Sequence, residues 1–313
     1  MEKDIDLYLI SGFLGAGKTT FLQHILTGFQ NKRTGLIINE FGSIGIDGKL
    51  LDRDGIKMVE INNGSIFCSC LKGGFVRTLI AFTKEDIDVL FIENSGMADP
   101  SNMHRLLTEL EGKTQRQYHY KGAVCVLDAV SFLKHVQVLT PVENQVVSSN
   151  FILINKTDQV NQDTIQKIRD KISQLNPDAY IYQTVFAEVP EEILQEKLSD
   201  NGFDRDTSNQ PYNRMTACAL ECRELTEEKN LKKFIRAMKG KTYRIKGSVL
   251  TEQGWIQVDG VGEDCNLKST ELHKWDIIEH TRLVMIGNGS GDLEKEALEK
   301  WNSLCRTKGE IYE

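Results

Sequence analysis

The sequence predicts an α/β fold, a doubly wound and mostly parallel sheet, with a second, smaller α+β domain. Three observations predict it. Short β-type runs alternate with helical patterns through the first 190 residues. Most of these runs are continuously apolar rather than strictly alternating, as suits parallel strands covered on both faces. After residue 213 the order changes to strand, helix, hairpin, strand, helix.

Taken in order, strands are expected over Asp6–Ile10, Gly35–Asn39, Lys57–Ile61, Val89–Glu93, Ala123–Leu127, Phe151–Ile154 and Tyr180–Thr184. Helices fall between them, over Phe21–Leu26, over Phe75–Phe82 and over Thr164–Leu175. In the last, Ile165, Ile168, Ile172 and Leu175 recur at helical spacing. Ser199–Asn213 is polar, rich in Asp and Asn and aperiodic, so it reads as a linker between domains at 1–198 and 214–313. In the second domain a strand near Arg214–Glu221 precedes a helix over Glu227–Met238. Lys241–Thr251 and Trp255–Val258 form a hairpin turning at Gln253-Gly254. A strand at Arg282–Ile286 and a helix at Asp292–Trp301 close the chain.

Bulk properties exclude several classes. At 313 residues, 40% hydrophobic and 27% charged, the composition is that of a globular protein with a substantial core. A net charge of −7 argues against a nucleic-acid groove, which needs basic patches. No apolar run approaches the ~20 residues of a membrane span, and the acidic start Met1-Glu-Lys-Asp4 is no signal peptide. A cytoplasmic protein without nucleic-acid or membrane partners is expected. Seven cysteines, odd in number and irregularly spaced, then read as thiols or metal ligands rather than a disulfide framework.

The first apolar run leads into Ser11-Gly-Phe-Leu-Gly-Ala-Gly-Lys-Thr-Thr20 and then a helix. Strand, glycine loop and helix start in that order make a phosphate-binding P-loop. Gly12, Gly15 and Gly17 let successive N–H groups turn toward one point, where the helix dipole adds its positive end. The expected phosphate-binding residues are Gly12, Gly15, Ala16, Gly17, Lys18, Thr19 and Thr20. Lys18 reaches the β- and γ-phosphates as a catalytic group, and the Thr19 hydroxyl holds Mg2+.

The strand Phe151–Ile154 runs into Asn155-Lys-Thr-Asp158, the pattern that reads guanine. The Asp158 carboxylate can accept from N1–H and the exocyclic amine of guanine. Adenine, with an acceptor at N1, would leave it unpaired, a mismatch worth ~10⁴-fold in discrimination. Lys156 lies over the base in this reading and Asn155 ties the loop back to the P-loop. The alternative makes Asp158 a helix cap. Upstream, Val89–Glu93 ends in Glu93-Asn-Ser-Gly96, an acid at a strand end followed by a glycine that can approach the γ-phosphate. Glu93 is the expected second catalytic residue and magnesium partner, ordering the metal's waters or the attacking water. Its alternative role is to cap a helix starting near Ser101. Asn39-Glu-Phe-Gly42, with glycines at 42, 45 and 48, occupies the place of a first switch loop.

Together these motifs resemble the CobW-like GTPases related to HypB and UreG, over nearly the whole chain. The resemblance rests on Gly12–Thr20, on Asn39–Gly42 with Ile46-Asp-Gly48, on Glu93-Asn-Ser-Gly-Met-Ala-Asp-Pro100 and on Asn155–Asp158. Arg244-Ile-Lys-Gly247 and Arg282-Leu-Val-Met-Ile-Gly287 look like landmarks of the family's C-terminal domain. The resemblance implies GTP hydrolysis coupled to insertion of a transition metal into a client protein or cofactor. This chain departs from the family at the metal motif. Where the family has Asn-Gly-Cys-x-Cys-Cys, residues 63–70 read Asn-Gly-Ser-Ile-Phe-Cys-Ser-Cys, leaving Cys68 and Cys70.

Residues two apart on an extended segment face one side, ~6.5–7 Å apart. Zinc needs its sulfurs under ~4 Å apart, a gap that a bend can close. Two thiolates are too few, and Glu40 on the switch loop is the expected third ligand, which would couple metal grip to nucleotide state. Thiolates favour zinc, cobalt or copper(I) over magnesium, with Zn2+ or Co2+ expected. Two alternatives stay open for the cysteine pair, packing as small apolar groups or a reducible disulfide. The leading expectation is a slow GTP-driven metallochaperone, with GTP, Mg2+ and a transition metal as ligands. Its partner is a client metalloprotein or cofactor-assembly protein, and a homodimer is left open. The second reading is a GTPase that activates a metallo- or corrinoid enzyme without carrying metal. A P-loop kinase is third, opposed by Asn155–Asp158 and by the lack of a lid-like arginine cluster.

Overall fold

A computed structural model describes residues 3–39, 51–53, 56–61, 72–206, 216–262, 264–270, 280–287 and 292–312. The chain forms two compact units, Met1–Asn213 and Arg214–Glu313.

In the first unit the expected strands form β1 (Ile5–Ser11), β2 (Thr34–Asn39), β4 (Ile56–Ile61), β5 (Val89–Glu93), β6 (Tyr118–Asp128), β7 (Phe151–Asn155) and β8 (Tyr180–Gln183). A short strand not foreseen, β3 (Leu51–Arg53), precedes β4. The sheet order is β3-β4-β2-β5-β1-β6-β7-β8. Every pairing is parallel except β3 with β4. Burial is nearly continuous in β1, β2, β5 and β7 because both faces are covered. Leu7, Leu9, Ile37 and Leu90 point to one side, against Phe75, Leu79 and Phe82 of α2 (Lys72–Phe82) and Met103 and Leu106 of α3 (Met103–Leu110). Tyr8, Ile10, Leu36 and Val126 point to the other, against Phe21 and Ile25 of α1 (Lys18–Gly28). Alternate residues of one strand thus feed opposite cores, which requires apolar side chains at every position.

Three differences from the sequence reading have physical causes. β6 begins five residues early, because its polar first half pairs with β1 past a register shift opposite Leu7 and Tyr8. Two short helices, α4 (Phe132–His135) and α5 (Thr140–Val147), follow β6 and are too brief to show a period. Residues 199–206, part of the segment read as linker, lie against the first unit. Asp200 pairs with His104 and Asp206 with Arg105. The amphipathic Ile165, Ile168 and Ile172 are buried as expected on α6 (Gln162–Leu175), and α7 (Glu191–Lys197) follows β8.

The second unit is an antiparallel sheet in the order β12-β11-β10-β13-β9-β14. It comprises β9 (Ala217–Cys222), β10 (Thr242–Thr251), β11 (Gly254–Val261), β12 (Asp264–Thr270), β13 (Thr281–Gly287) and β14 (Gly309–Tyr312). The outer strands β12 and β14 were not foreseen. Among its described side chains β12 turns Cys265 and Leu267 toward the core, and β14 is short. Two helices, α8 (Glu228–Met238) and α9 (Leu293–Cys305), cover one face, with Phe234 edge-on to Trp301 at 5.0 Å. Cys218, Cys222 and Cys305 belong to that core, and burial pushes the Cys218 and Cys305 thiols up to about 12. Among the described residues no helix is long and apolar enough to cross a membrane.

Candidate functional site

In an open parallel sheet, ligands bind beyond the carboxyl ends of the strands, where successive connections leave in opposite directions. From β1 the chain turns toward β2, and from β6 it turns the other way toward β7. The loop after β1 lies at that crevice. Gly12, Gly15 and Gly17 all have positive φ. At Gly17 (φ 109) a side chain is excluded twice, by the backbone angle and because a Cβ would stand 2.5 Å from the Asn155 amide nitrogen. Gly17 then opens α1 with no side-chain cap and no acid in the first turn among the described residues. An N-terminus left in this state offers its N–H groups and its dipole to an anion. Buried Lys18 curls back so that Nζ donates to the Phe13 carbonyl at 3.2 Å.

The Thr19 hydroxyl donates to Glu93 Oε1 at 2.8 Å, joining the first turn of α1 to the end of β5. A hydroxyl and a carboxylate side by side, with Glu93 only 5% exposed, form a pair of hard oxygen donors of the kind Mg2+ takes. The helix that follows, α3, has Asn102 at its N-cap and no side-chain cap. Asp99 closes a local turn before it, accepting from the Ser101 N–H at 3.0 Å and from its hydroxyl. Gly96 lies so close to the loop that a Cβ would be 2.7 Å from the Leu14 nitrogen. Buried Gln145 on α5 holds this segment by donating to the Gly96 and Ala98 carbonyls, and Asn144 donates to Asp99. Phe13 packs against His135 with tilted rings whose centroids are 4.5 Å apart. Burial, and secondarily Lys134, lowers the His135 pKa.

Asn155 at the end of β7 joins two loops. Its amide donates to the Ala16 carbonyl at 2.8 Å and its Oδ1 accepts from the Ala187 N–H at 2.8 Å. Lys156 has a left-handed backbone and its Nζ pairs with Asp128 at 2.7 Å. Exposed Asp158 sits in a one-turn 3-10 helix, Thr157–Gln159, and the cap of α6 is Asn161, which accepts from the Thr164 N–H at 2.9 Å. The capping alternative for Asp158 thus passes to Asn161. Residues absent from the sequence reading complete the arrangement, namely Asp128, Gln145 and the Thr184–Ala187 loop. Asp128 carried a signal, an acid ending a buried strand. The others touch the site through hydrogen bonds between segments distant in sequence.

The structure thus brings together Gly12 through Thr20, Glu93, Asn155, Lys156 and Asp158. Cys68, Cys70 and Glu40, with residues 41–48 of the first switch region, lie outside the described residues. Among the described residues no group of three His, Cys, Asp or Glu is placed to hold a metal.

Residues 6–183 match the model of the CobW/HypB/UreG nucleotide-binding domain, and residues 215–305 match the cobalamin synthesis protein cobW C-terminal domain. Among curated proteins, the zinc chaperone YjiA of Escherichia coli is 31% identical over 204 residues, covering 64% of this chain and 62% of that protein. The zinc-regulated GTPase metalloprotein activator 1 of Dictyostelium discoideum is 28% identical over 61% of this chain and 48% of its own length. The zinc chaperone CobW of Pseudomonas aeruginosa is 28% identical over 59% of this chain and 58% of its own length. The chain therefore spans about half to three-fifths of the length of these relatives.

Proposed function

The chain belongs to the CobW/HypB/UreG family, and we propose that it is a GTP-hydrolysing metallochaperone that delivers a transition metal to a client protein or cofactor pathway. The observation that carries the nucleotide half is the pair of side-chain ties converging on one loop. Thr19 joins it to Glu93 and Asn155 joins it to the base-reading turn. Three segments distant in sequence, at the ends of β5, β1 and β7, come to one end of the parallel sheet, which supports a magnesium, phosphate and base order along it.

Each residue has a role in this reading. The N–H groups from Gly12 to Thr20 enclose the phosphates, and Lys18 swings from the Phe13 carbonyl to the β- and γ-phosphates, stabilising charge as it develops. Thr19 and Glu93 hold Mg2+, which neutralises phosphate charge when bound. Glu93 also orients the attacking water. Asn155 fixes the base loop, Lys156 lies along the base with its head group on Asp128, and Asp158 accepts from the guanine edge. Cys68, Cys70 and Glu40 take the cargo metal, zinc or cobalt. Placing Glu40 on the switch loop makes metal release follow the nucleotide state. The second unit, from Arg214, is separate from this motor, and a cytoplasmic location fits the cysteine usage.

Two measurements test the proposal. In competition binding the full chain prefers a GTP analogue over an ATP analogue by a wide margin, and equal affinity refutes the nucleotide assignment. Metal titration of the parent and of a Cys68→Ser/Cys70→Ser variant, with and without the GTP analogue, tests the cargo site. Loss of one nucleotide-sensitive Zn2+ in the variant supports delivery. Equal binding by both, or by neither, favours the second reading, a GTPase that activates a metalloenzyme without carrying metal. The departure of residues 63–70 from the family's cysteine pattern is the observation behind that reading.

A further inference from the structure

Four non-glycine residues have positive φ among those described, and three of them, Lys156, Phe186 and Ala187, lie on the two loops after β7 and β8. A left-handed backbone is unfavourable for a residue with a side chain, and most of all for a bulky one. It persists where the surroundings over-determine it, and such positions collect at functional sites. The surroundings here are explicit. The Ala187 N–H is bonded to Asn155 Oδ1 at 2.8 Å, and the Ala187 carbonyl lies 3.5 Å from His24 Nδ1. Before Phe186, Thr184 accepts at its carbonyl from the Thr157 hydroxyl at 2.9 Å and donates its own hydroxyl to Glu188 at 2.6 Å. Ala187 is fully buried, whereas Phe186 is 72% exposed, the most exposed large apolar side chain among the described residues. The fold therefore holds an aromatic ring out of the core at a strained position, on a loop bonded to the turn that carries Asp158.

We propose that Phe186 is a purine-stacking residue, its ring lying on the face of the base whose edge Asp158 reads. This rests on the guanine-nucleotide reading above. Stacking accepts any base and is worth more than a solvent-exposed ring elsewhere gains, so Phe186 supplies affinity while Asp158 supplies choice. The alternative use of an exposed ring, a contact for another protein, predicts no effect on nucleotide binding.

Calorimetric titration of the full chain with GDP and with inorganic tripolyphosphate separates these uses. Phe186→Ala weakens GDP binding about tenfold and leaves tripolyphosphate affinity and the preference for GDP over ADP unchanged. Phe186→Tyr, which keeps the ring, stays within about twofold of the parent. With the parent's own tryptophan emission as the baseline, the emission of Phe186→Trp shifts on adding GDP. A Phe186→Ala chain that binds GDP like the parent, or a silent Trp reporter, overturns the inference alone. A parent that binds no GDP overturns the nucleotide reading with it.

Discussion

In the proposed reading, the phosphate end and the base end of the site are built by different means. The phosphate end is one continuous segment, Gly12 to Thr20, whose work is done by backbone N–H groups, a helix terminus and one lysine. The base end is assembled from the ends of three strands, with Asp128 after β6, Asn155–Asp158 after β7 and Thr184–Ala187 after β8. Local backbone geometry suffices for a group as symmetric as a phosphate. A base has a distinct edge and two faces, and reading it takes side chains brought from separate places. Asn155 belongs to both ends, which makes it the point where the comparison can fail.

The largest effect is expected at Asp158. Replacing it by alanine reduces a GTP-over-ATP preference of about 10⁴ to near unity, while tripolyphosphate affinity stays at the parent value. Competition binding against the two analogues checks this. Lys18→Ala does the reverse. GTP turnover falls by about 10² to 10³ and tripolyphosphate binding weakens, yet the ratio of guanine to adenine affinity is kept. If either variant damages both properties equally, the two ends are not separable.

Asn155→Ala breaks the separation by design. It leaves the buried Ala16 carbonyl and the Ala187 N–H without their partner, a loss of about 2 kcal/mol measurable by urea unfolding. Both GDP and tripolyphosphate bind more weakly. The smallest effect concerns His135 behind the phosphate loop. Burial holds its folded-state pKa below the ordinary histidine value, so the unfolded chain takes up the proton first as pH falls. Its contribution to stability is therefore complete above about pH 6.5 and is lost as pH drops through the folded-state pKa. A His135→Leu chain shows a shallower loss of melting temperature between pH 7 and pH 5 than the parent. An equal slope in both argues that another group governs acid sensitivity.

Legibility followed the same division. Gly12 through Thr20 could be read because every residue that shapes the loop adjoins it in sequence. Glu93 could be placed at a strand end, but its bond from the Thr19 hydroxyl at 2.8 Å exists only in the fold. Asp158 and Asn161 lie three apart and either could cap α6. Only the hydrogen bond to Thr164 separates them. Phe186 and Ala187 carry no motif at all, since nothing in Thr-Val-Phe-Ala announces a left-handed backbone.

By itself the sequence determined the α/β class, the parallel character of the first sheet and the order of the site's segments. Those follow from apolar runs and glycine spacing, which are interactions between near neighbours. Tertiary structure alone decided that Asn155 also holds the Ala187 loop, that Asp128 holds Lys156 and that Gln145 holds the Glu93 segment. The physical reason is that a side-chain hydrogen bond has a short reach and a strict direction. Which distant partner falls within that reach is set by strand order and register, and these exist only once the sheet has formed.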